Sequence, residues 1–498
     1  MNRYDVCVIG AGPAGYAAAM RAIDLNKKVI LIEKEKVGGA GVYNGALSSK
    51  TFWEISRSLA SAKKQWQKYA ETELNIDFRE ILNDVTDAVF LRKVQLETHL
   101  LLLQRKKKDI FEFVKGDAKL LNRNEIQIIK SNGEDIIYAD NIVLATGSRP
   151  RKLPHIPIDE KIIVTSNGVE SFEEFPESMV ILGAGVIGCE WATIFSNFGK
   201  TKVNIIDKAD RILPFEDADI SLTIQGNLEE NGVTIHRNSK LERMEIKDGM
   251  VEYELSYKDG SRKIFNVEKA LVSVGRVPNY ENIGIETVGI ILKDNCIPQS
   301  VDTQTNIDNI YAVGDLTADF ALANVAELEG RHCIEKMFGL KPKPLSYKNL
   351  STIMFLNPET AGVGMNEQDA RKNGISYKVV SMDFSLLPRA IAMRSTRGFF
   401  KILVTNDEQM KILGMRAVGE HASSAIQAVA LLISMDKGIE ELAELIHPHP
   451  SIIEGIQECV RMLNGKSVLK PEIFKDTLKC KGCDESGAYF DIHLKETF

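Results

Sequence analysis

The start of the chain alternates between apolar runs and an amphipathic stretch, which predicts a strand, a helix and a second strand. Residues 4–9 are mostly apolar and predict a short buried strand, and the glycine-rich turn 10–15 follows at once. Apolar positions then recur with the period of a helix to about residue 25. The apolar run 29–32 predicts a strand that leads into Glu33. The glycines therefore lie at the first turn of a β-α-β unit.

The same pattern recurs near the middle of the chain. Residues 178–182 predict a strand, 183–188 form a second glycine-rich turn, and a helix follows over about 189–198. The apolar run 203–206 then leads into Asp207. Two units of one design predict an α/β protein with two Rossmann-like dinucleotide-binding domains.

Each glycine of these turns has a physical role in binding a dinucleotide. Gly10 permits the tight turn, Gly12 lets the backbone approach a pyrophosphate, and Gly15 allows the helix to pack closely on the strand. The second turn supplies the equivalent residues Gly183, Gly185 and Gly188. Two complete turns predict two dinucleotides, a tightly held FAD and an exchangeable nicotinamide cofactor.

An acidic residue ends the second strand of each unit. Glu33 follows Gly15 by 18 residues, and Asp207 lies in the equivalent place in the second unit. Such an acid binds a ribose 2'-hydroxyl and repels the 2'-phosphate of NADP. Asp207 therefore predicts a preference for NADH, which Lys208 and Arg211 can weaken by pairing with a phosphate.

Further elements follow from the same periodicities. Residues 47–70 and 85–107 show helical spacing, and 111–143 alternate as in a β-meander. The last third of the chain predicts an α+β unit with two strands and a helix at 399–404, 411–417 and 422–435.

Composition narrows the class of protein. The 498 residues are 44% hydrophobic and 26% charged, with a formal charge of -7, so no overall basic surface is available for nucleic acid or an anionic membrane. No run approaches the 18 apolar residues of a membrane span, and the apolar run at the N-terminus is too short for a signal peptide. Seven dispersed cysteines fit a reducing compartment. We expect a cytoplasmic protein that binds neither nucleic acid nor membrane.

Eight motifs occur in an order that resembles one enzyme family. They are the turn 10–15, Gly38-Gly39, Ser49-Lys50, Ala145-Thr146-Gly147, the turn 183–188 with Glu190, Gly275-Arg276-Val277-Pro278-Asn279, Ala312-Val313-Gly314-Asp315, and His449-Pro450 with Glu454. Over roughly residues 4–463 the chain resembles the flavoprotein pyridine nucleotide-disulfide oxidoreductases, a family that includes dihydrolipoamide dehydrogenase and soluble transhydrogenase.

The resemblance implies a domain organisation. An FAD-binding domain would comprise residues 1–150 and 277–345, with an NAD-binding domain inserted at 151–276. Residues 346–470 would form an α+β dimerisation domain, so a homodimer is expected. Residues 471–498 would remain as a C-terminal tail.

The resemblance also implies roles for single residues. Lys50 would reach the flavin N5 region and pair with Glu190, at the start of the NAD-domain helix. Asp315 would bind the ribityl or pyrophosphate portion of FAD. Further cofactor-binding residues implied in this way are Gly39, Gly116, Thr146, Gly147 and Gly275.

The segment that carries the redox-active cysteines in this family differs here. The family pattern is GGxCxxxGCxPSK, and residues 38–50 of this chain place Gly41 and Ala46 at the two cysteine positions. Neither residue forms a disulfide, so electrons cannot pass from the flavin to an adjacent dithiol. This excludes dihydrolipoamide oxidation by the usual route and favours a protein like soluble transhydrogenase, in which the flavin exchanges hydride directly with nicotinamides.

Two features keep thiol chemistry open. His449 and Glu454 match the residues that act on thiols in the dithiol enzymes, the histidine as base and the glutamate as its orienting partner. Cys480 and Cys483 form a CxxC near the C-terminus, flanked by lysines that favour a thiolate. The pair is interpreted as a redox tail that visits the partner's flavin, as a metal site with His493 or a second tail, or as two inert residues.

The sequence therefore predicts a homodimeric FAD enzyme that accepts hydride from NADH. Its acceptor stays open between a second nicotinamide, the C-terminal cysteines followed by an outside disulfide or metal ion, and a quinone or dye-like molecule. A non-catalytic flavoprotein subunit that binds a partner is the alternative from a different class.

Overall fold

The first β-α-β unit forms as the apolar pattern predicts. The structure is a computed structural model that describes residues 2–69, 75–298, 302–317 and 320–492. Its first elements are β1 (Arg3–Ile9), α1 (Pro13–Asp24), β2 (Val29–Glu33), α2 (Ala46–Tyr69), α3 (Phe78–Lys106), β3 (Phe111–Lys115), β4 (Asp117–Leu120), β5 (Glu125–Lys130), β6 (Gly133–Leu144) and β7 (Ser148–Pro150).

The predicted meander over 111–143 is correct only in part. β3 pairs in parallel with β2, which gives the parallel order β3-β2-β1-β6. Only β4, β5 and β6 form an antiparallel meander. All five residues of β2 are buried, as expected for a parallel strand covered on both faces.

A second parallel sheet follows the second glycine-rich turn. Its strand order is β11-β10-β9-β15-β8, and β12, β13 and β14 form a separate antiparallel sheet. The elements are β8 (Ile163–Val164), β9 (Ser178–Leu182), α4 (Val186–Phe198), β10 (Lys202–Ile206), α5 (Ala218–Glu230), β11 (Thr234–His236), β12 (Ser239–Lys247), β13 (Met250–Tyr257), β14 (Arg262–Val267) and β15 (Lys269–Val272).

After this sheet the chain returns to the first one. The returning elements are β16 (Arg276–Pro278), α6 (Ile285–Val288), β17 (Ile310–Ala312) and α7 (Ala323–Met337). β16 pairs antiparallel with β7, so two short strands connect the units, and β17 pairs in parallel with β6. α7 packs on α1 so closely that a Cβ at Gly330 would lie 2.1 Å from the carbonyl oxygen of Ala14.

The last part of the chain builds a sheet in the order β18-β19-β22-β21-β20-β23-β24. The predicted helix over 422–435 is divided in two at Ile426. The elements are β18 (Ser351–Met354), β19 (Thr360–Gly364), α8 (Glu367–Lys372), β20 (Tyr377–Asp383), α9 (Pro388–Ala392), β21 (Phe399–Thr405), β22 (Ile412–Val418), α10 (Ala422–Ala425), α11 (Gln427–Ser434), α12 (Glu440–Ala443), α13 (Glu454–Leu463), β23 (Leu478–Cys483) and β24 (Tyr489–Asp491).

Two strands of the expected C-terminal tail, β23 and β24, belong to this sheet, whereas the sequence predicted a separate segment over residues 471–498. β23 pairs antiparallel with β20 along its whole length, and β24 pairs with β23. The alternation Leu478, Lys479, Cys480, Lys481 is the period-two pattern of a strand, which the CxxC interpretation overlooked.

In the described parts of the chain, no helix has both the length and the apolar character that a membrane span requires.

Candidate active site

The first glycine-rich turn leaves open space at one of its three glycines. Gly10 has φ +102°, and a Cβ there would lie 2.4 Å from the carbonyl oxygen of Ala145. A Cβ on Gly15 would lie 1.8 Å from the carbonyl oxygen of Gly10. At Gly12, by contrast, a Cβ would meet no described atom within 4 Å. Packing explains the first and third glycines, and the second keeps a space clear for a ligand.

The second turn repeats this arrangement. A Cβ on Gly183 would lie 2.6 Å from the carbonyl oxygen of Ser273, and one on Gly188 would lie 2.0 Å from that of Gly183. A Cβ on Gly185 would again meet none of the described atoms within 4 Å. Gly12 and Gly185 are also the N-caps of α1 and α4. Because backbone N–H groups at a helix N-terminus bind phosphates, both turns fit the pyrophosphate of a dinucleotide.

The two acids that end β2 and follow β10 support these turns by hydrogen bonds. Glu33 Oε2 accepts a hydrogen bond of 2.7 Å from the backbone N–H of Ala11, and Asp207 Oδ2 accepts one of 2.7 Å from that of Ala184. A carboxylate has about four acceptor sites, so each acid can still receive a ribose hydroxyl. The supporting bonds were not expected from the sequence, which shows only that an acid ends the strand.

Arg211 has partners within the protein, which argues against the expectation that it weakens the preference for NADH by pairing with a phosphate. Its guanidinium donates to the carbonyl oxygens of Pro214 at 3.1 Å and Glu216 at 2.8 Å, and also to Gln368. Lys208 is exposed and remains the neighbouring cation that can reach a phosphate.

We predict that Asp207→Ala lowers the preference for NADH over NADPH by at least about tenfold, measured as the ratio of the two kcat/KM values. Two unit charges about 4 Å apart repel by about 4 kcal/mol at an effective dielectric of 20, before screening by salt. Arg211→Ala serves as the control and should leave this ratio unchanged. A wild-type protein that prefers NADPH would contradict the role given to Asp207.

An ion pair joins the two dinucleotide-binding units. Lys50 Nζ, on α2, lies 2.9 Å from Glu190 Oε2, on α4, and the side chain of Glu190 is only 7% exposed. The other oxygen, Glu190 Oε1, accepts a hydrogen bond of 3.0 Å from the backbone N–H of Phe355. The Phe355 ring also lies 4.9 Å from Lys50 Nζ. Three parts of the chain thus fix this pair, and no sequence motif indicated Phe355.

A second polar network surrounds Asp315. Its Oδ2 accepts a hydrogen bond of 2.6 Å from Ser148 Oγ, which accepts one of 2.8 Å from Arg276 Nε. Burial lowers the pKa of Arg276 below its ordinary value, although the nearby carboxylate of Asp315 acts in the opposite direction. The preceding Gly314 donates its backbone N–H to the buried carboxylate of Glu329 at 2.7 Å. Glu329 therefore holds the turn that presents Asp315.

The remaining predicted cofactor-binding glycines differ in how much space surrounds them. Gly147 and Gly275 have φ of +68° and +99°, and a Cβ on either would meet nothing in the described chain within 4 Å. Gly39 faces the open glycine of the first turn, with a Cβ 3.4 Å from Gly12 Cα. Gly116 is explained by packing, because its Cβ would lie 2.9 Å from the carbonyl oxygen of Ile129.

Thr146 is fixed by Asn279 of the Gly275–Asn279 motif. Its Oγ1 donates to the carbonyl oxygen of Asn279 at 2.5 Å, and Asn279 Nδ2 donates back to the carbonyl oxygen of Thr146 at 3.0 Å. The structure thus brings together two motifs that lie more than a hundred residues apart, beside the strands that connect the two units.

His449 and Glu454 form the expected dyad. His449 Nδ1 lies 2.7 Å from Glu454 Oε1, and the second oxygen of Glu454 accepts a hydrogen bond of 3.1 Å from the backbone N–H of Ser451. The imidazole is 70% exposed. In the single chain it therefore faces solvent.

The C-terminal cysteines do not form the mobile dithiol that the sequence left open. Cys480 packs against the core on one face of the last sheet, and Cys483 belongs to a core cluster on the other, as residues three apart on a strand must. Both are free thiols. Burial raises the pKa of Cys480 to about 11, so the flanking lysines do not produce a thiolate.

The same geometry argues against a metal site. Ligands on opposite faces of one strand cannot bind one ion, and no cluster of potential metal ligands occurs within the described ranges. His493, which was considered as a third ligand, lies outside the described residues.

Comparison with known proteins agrees with this geometry. Residues 4–330 match the family model for pyridine nucleotide-disulphide oxidoreductases, and residues 350–460 match that for their dimerisation domain. A dihydrolipoyl dehydrogenase of Bacillus subtilis is 33% identical over 482 residues, covering 94% of this chain and 99% of the relative. Another, from Geobacillus stearothermophilus, is 32% identical and covers 93% of this chain and 97% of the relative.

Solved structures show the same likeness. LpdA from Mycobacterium tuberculosis superposes with a TM-score of 0.84 at 25% identity, covering 93% of this chain and all of that one. The HOCl-induced flavoprotein disulfide reductase RclA from Escherichia coli gives a TM-score of 0.80 at 25% identity, covering 92% and 100%.

Proposed function

The chain belongs to the pyridine nucleotide-disulphide oxidoreductase family and is an FAD- and NAD(H)-dependent oxidoreductase, and from this premise we propose that it oxidises NADH and reduces its acceptor without a dithiol beside the flavin. The observation that carries the proposal is Gly41 and Ala46 at the family's two cysteine positions. The first candidate for the acceptor is a second nicotinamide dinucleotide. Family membership makes the protein an enzyme, so the non-catalytic subunit considered from the sequence is not carried further.

The position of these two residues supports direct transfer. Gly41 ends a short 3-10 helix, Gly39–Gly41, and Ala46 begins α2, one turn before Lys50. Both side chains are small, which favours access of a flat acceptor to this side of the site. Cys480 and Cys483 are held in β23 and do not replace the missing thiols.

The residues of this chain bind and orient, while the chemistry that FAD supplies is acceptance of a hydride and storage of its two electrons. The turn at Gly12 would hold the FAD pyrophosphate, and the turn at Gly185 that of NADH. The Lys50–Glu190 pair fixes α2 against α4 and thereby sets the distance between the two sites. Orientation of this kind accounts for a large share of the rate in hydride transfer.

We expect the purified holoprotein to take up about two electrons per FAD in an anaerobic dithionite titration, because no second redox group lies beside the flavin. The matched variant carries Gly41→Cys together with Ala46→Cys and should take up about four, since it restores the dithiol. A Cβ at position 41 would lie 2.9 Å from Pro13 Cγ, so the ring or the local backbone must shift, and circular dichroism and FAD content verify that the variant is folded. Uptake of four electrons by the wild type would overturn the proposal.

An acceptor screen identifies the reaction after NADH has reduced the enzyme. NADP, thio-NAD, quinones and small disulfides are the compounds to compare, with dihydrolipoamide tested as a reductant. Turnover with a nicotinamide analogue supports the transhydrogenase reaction, and turnover with quinones alone makes the protein a diaphorase. Efficient oxidation of dihydrolipoamide would contradict direct transfer.

We also propose that the enzyme acts as a homodimer, as its match to the dimerisation domain supports. The exposed His449 would then be available to a site shared with the partner, where Glu454 orients the ring. With no thiol beside the flavin, its role there would be to donate a proton to the reduced acceptor or to hold it by a hydrogen bond.

A further inference from the structure

One segment ties the NADH turn to the last sheet of the protein. We call residues 207–219, which follow β10 and include the first two residues of α5, the strap. At its start, Asp207 accepts a hydrogen bond from the N–H of Ala184, in the second glycine-rich turn, and the N–H of Leu213 donates to the carbonyl oxygen of the same Ala184 at 2.9 Å. Movement of the strap would therefore move the backbone of the turn that binds the NADH pyrophosphate.

The far end of the strap is attached to α8 and β21. The carboxylate of Asp217 accepts hydrogen bonds from the N–H groups of Glu367 at 3.2 Å and Gln368 at 2.9 Å, the first residues of α8. Lys401 Nζ, on β21, lies 2.9 Å from Asp217 and 2.8 Å from Asp219. The side chain of Lys401 is only 3% exposed, so water does not replace these partners.

Glu367 connects this attachment to the C-terminal hairpin, β23 and β24. Its Oε2 lies 2.5 Å from Lys401 Nζ, and its Oε1 accepts hydrogen bonds from the hydroxyls of Tyr377 at 2.9 Å and Tyr489 at 2.8 Å. Tyr489 is on β24, and Arg371 of α8 both donates to its hydroxyl and lies 4.8 Å from its ring centre. The first residue of the last strand therefore contacts the charged cluster that holds the strap.

The charges of the cluster are maintained by their contacts. Burial by itself would raise the pKa of Glu367, but the charge of Lys401 and the hydroxyls of Tyr489 and Tyr377 lower it by more, so its net pKa is below the ordinary value. For Lys401, burial lowers the pKa, but Asp219, Asp217 and Glu367 together raise it above its ordinary value. The cluster stays ionised near neutral pH, and the geometry of each member depends on the others.

We propose that the C-terminal hairpin is a positioning element for bound NADH, with Tyr489 as its positioning residue. Tyr489 holds Glu367, Glu367 orients Lys401, and Lys401 anchors the strap that supports the glycine-rich turn. The hairpin lies beyond residue 460, where the match to the dimerisation domain ends. The inference rests on NADH binding at the second turn and is independent of the acceptor.

The test is the half-reaction, in which NADH reduces the enzyme-bound flavin under anaerobic conditions without any acceptor. Tyr489→Phe removes the hydroxyl and keeps the ring. We expect the NADH concentration at half-saturation to rise about three- to tenfold. Loss of a hydrogen bond to a charged group has a larger effect at Glu367 itself, and only part of it reaches the glycine-rich turn through Lys401 and the strap. The limiting rate of reduction should change by less than about twofold, because the variant changes NADH placement and not the reacting groups.

Two further variants separate positioning from general destabilisation. Phe490→Leu, also on β24, should leave NADH saturation unchanged. In the double variant Tyr489→Phe with Glu367→Gln, the effect of the tyrosine should disappear if it acts through Glu367. The proposal would be overturned if Tyr489→Phe left the NADH concentration at half-saturation unchanged, or if Phe490→Leu raised that concentration as much as Tyr489→Phe does. Because no acceptor is present, either outcome leaves the direct-transfer proposal standing.

Discussion

Protein carrying Gly12→Glu is expected to fold but to purify without FAD. A Cβ at position 12 would meet no described atom within 4 Å, so the new side chain starts in open space. Its carboxylate, however, would occupy the space at the N-terminus of α1 that we assign to the pyrophosphate. At a separation of about 4 Å, each pair of negative charges repels by about 4 kcal/mol at an effective dielectric of 20. FAD affinity should therefore fall by more than about a hundredfold.

The second turn supplies the matched control. Gly185→Glu places the same charge in the equivalent open space at the N-terminus of α4. This variant should retain FAD and its visible absorption but lose reduction by NADH, while dithionite still reduces it. Circular dichroism and thermal unfolding of both variants verify that the fold is kept. Loss of FAD from the Gly185 variant alone would reverse our assignment of the two sites.

Replacement of Lys50 by methionine should slow flavin reduction by NADH by about ten- to a hundredfold. The substitution leaves the carboxylate of Glu190 buried with no cation, and removal of one partner from a buried pair costs about 3–5 kcal/mol. Because the side chain of Lys50 is 28% exposed, water will relieve part of this cost. We expect the residual strain to shift α2 relative to α4, and with it the flavin relative to the nicotinamide.

Arg57 on the same helix provides the comparison. It also pairs with an acid, Glu420, at 2.9 Å, but this partner is 31% exposed. Arg57→Met should reduce the rate by no more than about twofold, as expected for a pair open to water. The rate of flavin reduction in Glu190→Gln should lie between those of Lys50→Met and Arg57→Met, because the amide oxygen can still accept a hydrogen bond from the N–H of Phe355 or from Lys50. If Lys50→Met reduced its flavin with NADH as fast as wild type, the Lys50–Glu190 pair would have no role in hydride transfer.

The local sequence determined both dinucleotide-binding turns. A buried strand, three glycines at fixed spacing, an amphipathic helix and an acid all lie within about thirty consecutive residues, and their interactions are mostly with one another. The Lys50–Glu190 pair and the His449–Glu454 dyad were predicted by resemblance to a family, and the structure places each pair in hydrogen-bond contact. Their roles in the reaction remain predictions.

Contacts between distant segments were decided only by the tertiary structure. Phe355 and Glu329 hold functional groups through a backbone N–H or a buried carboxylate, and nothing near them in the sequence indicates which group they meet. The C-terminal CxxC shows the same limit. Its alternating pattern indicates a strand, but only pairing with β20 shows that Cys480 and Cys483 point to opposite faces.

The physical reason is the range of the interactions. The spacing of apolar residues and the backbone conformations of glycine depend on a few neighbouring residues, so a short stretch of sequence specifies them. The partner of an edge strand or of a buried charge is chosen by packing of the whole chain, since many strands and many acids offer the same hydrogen bonds. Sequence alone thus indicated two dinucleotide-binding units, and the tertiary structure decided that the last strand joins the C-terminal sheet and that its Tyr489 contacts Glu367.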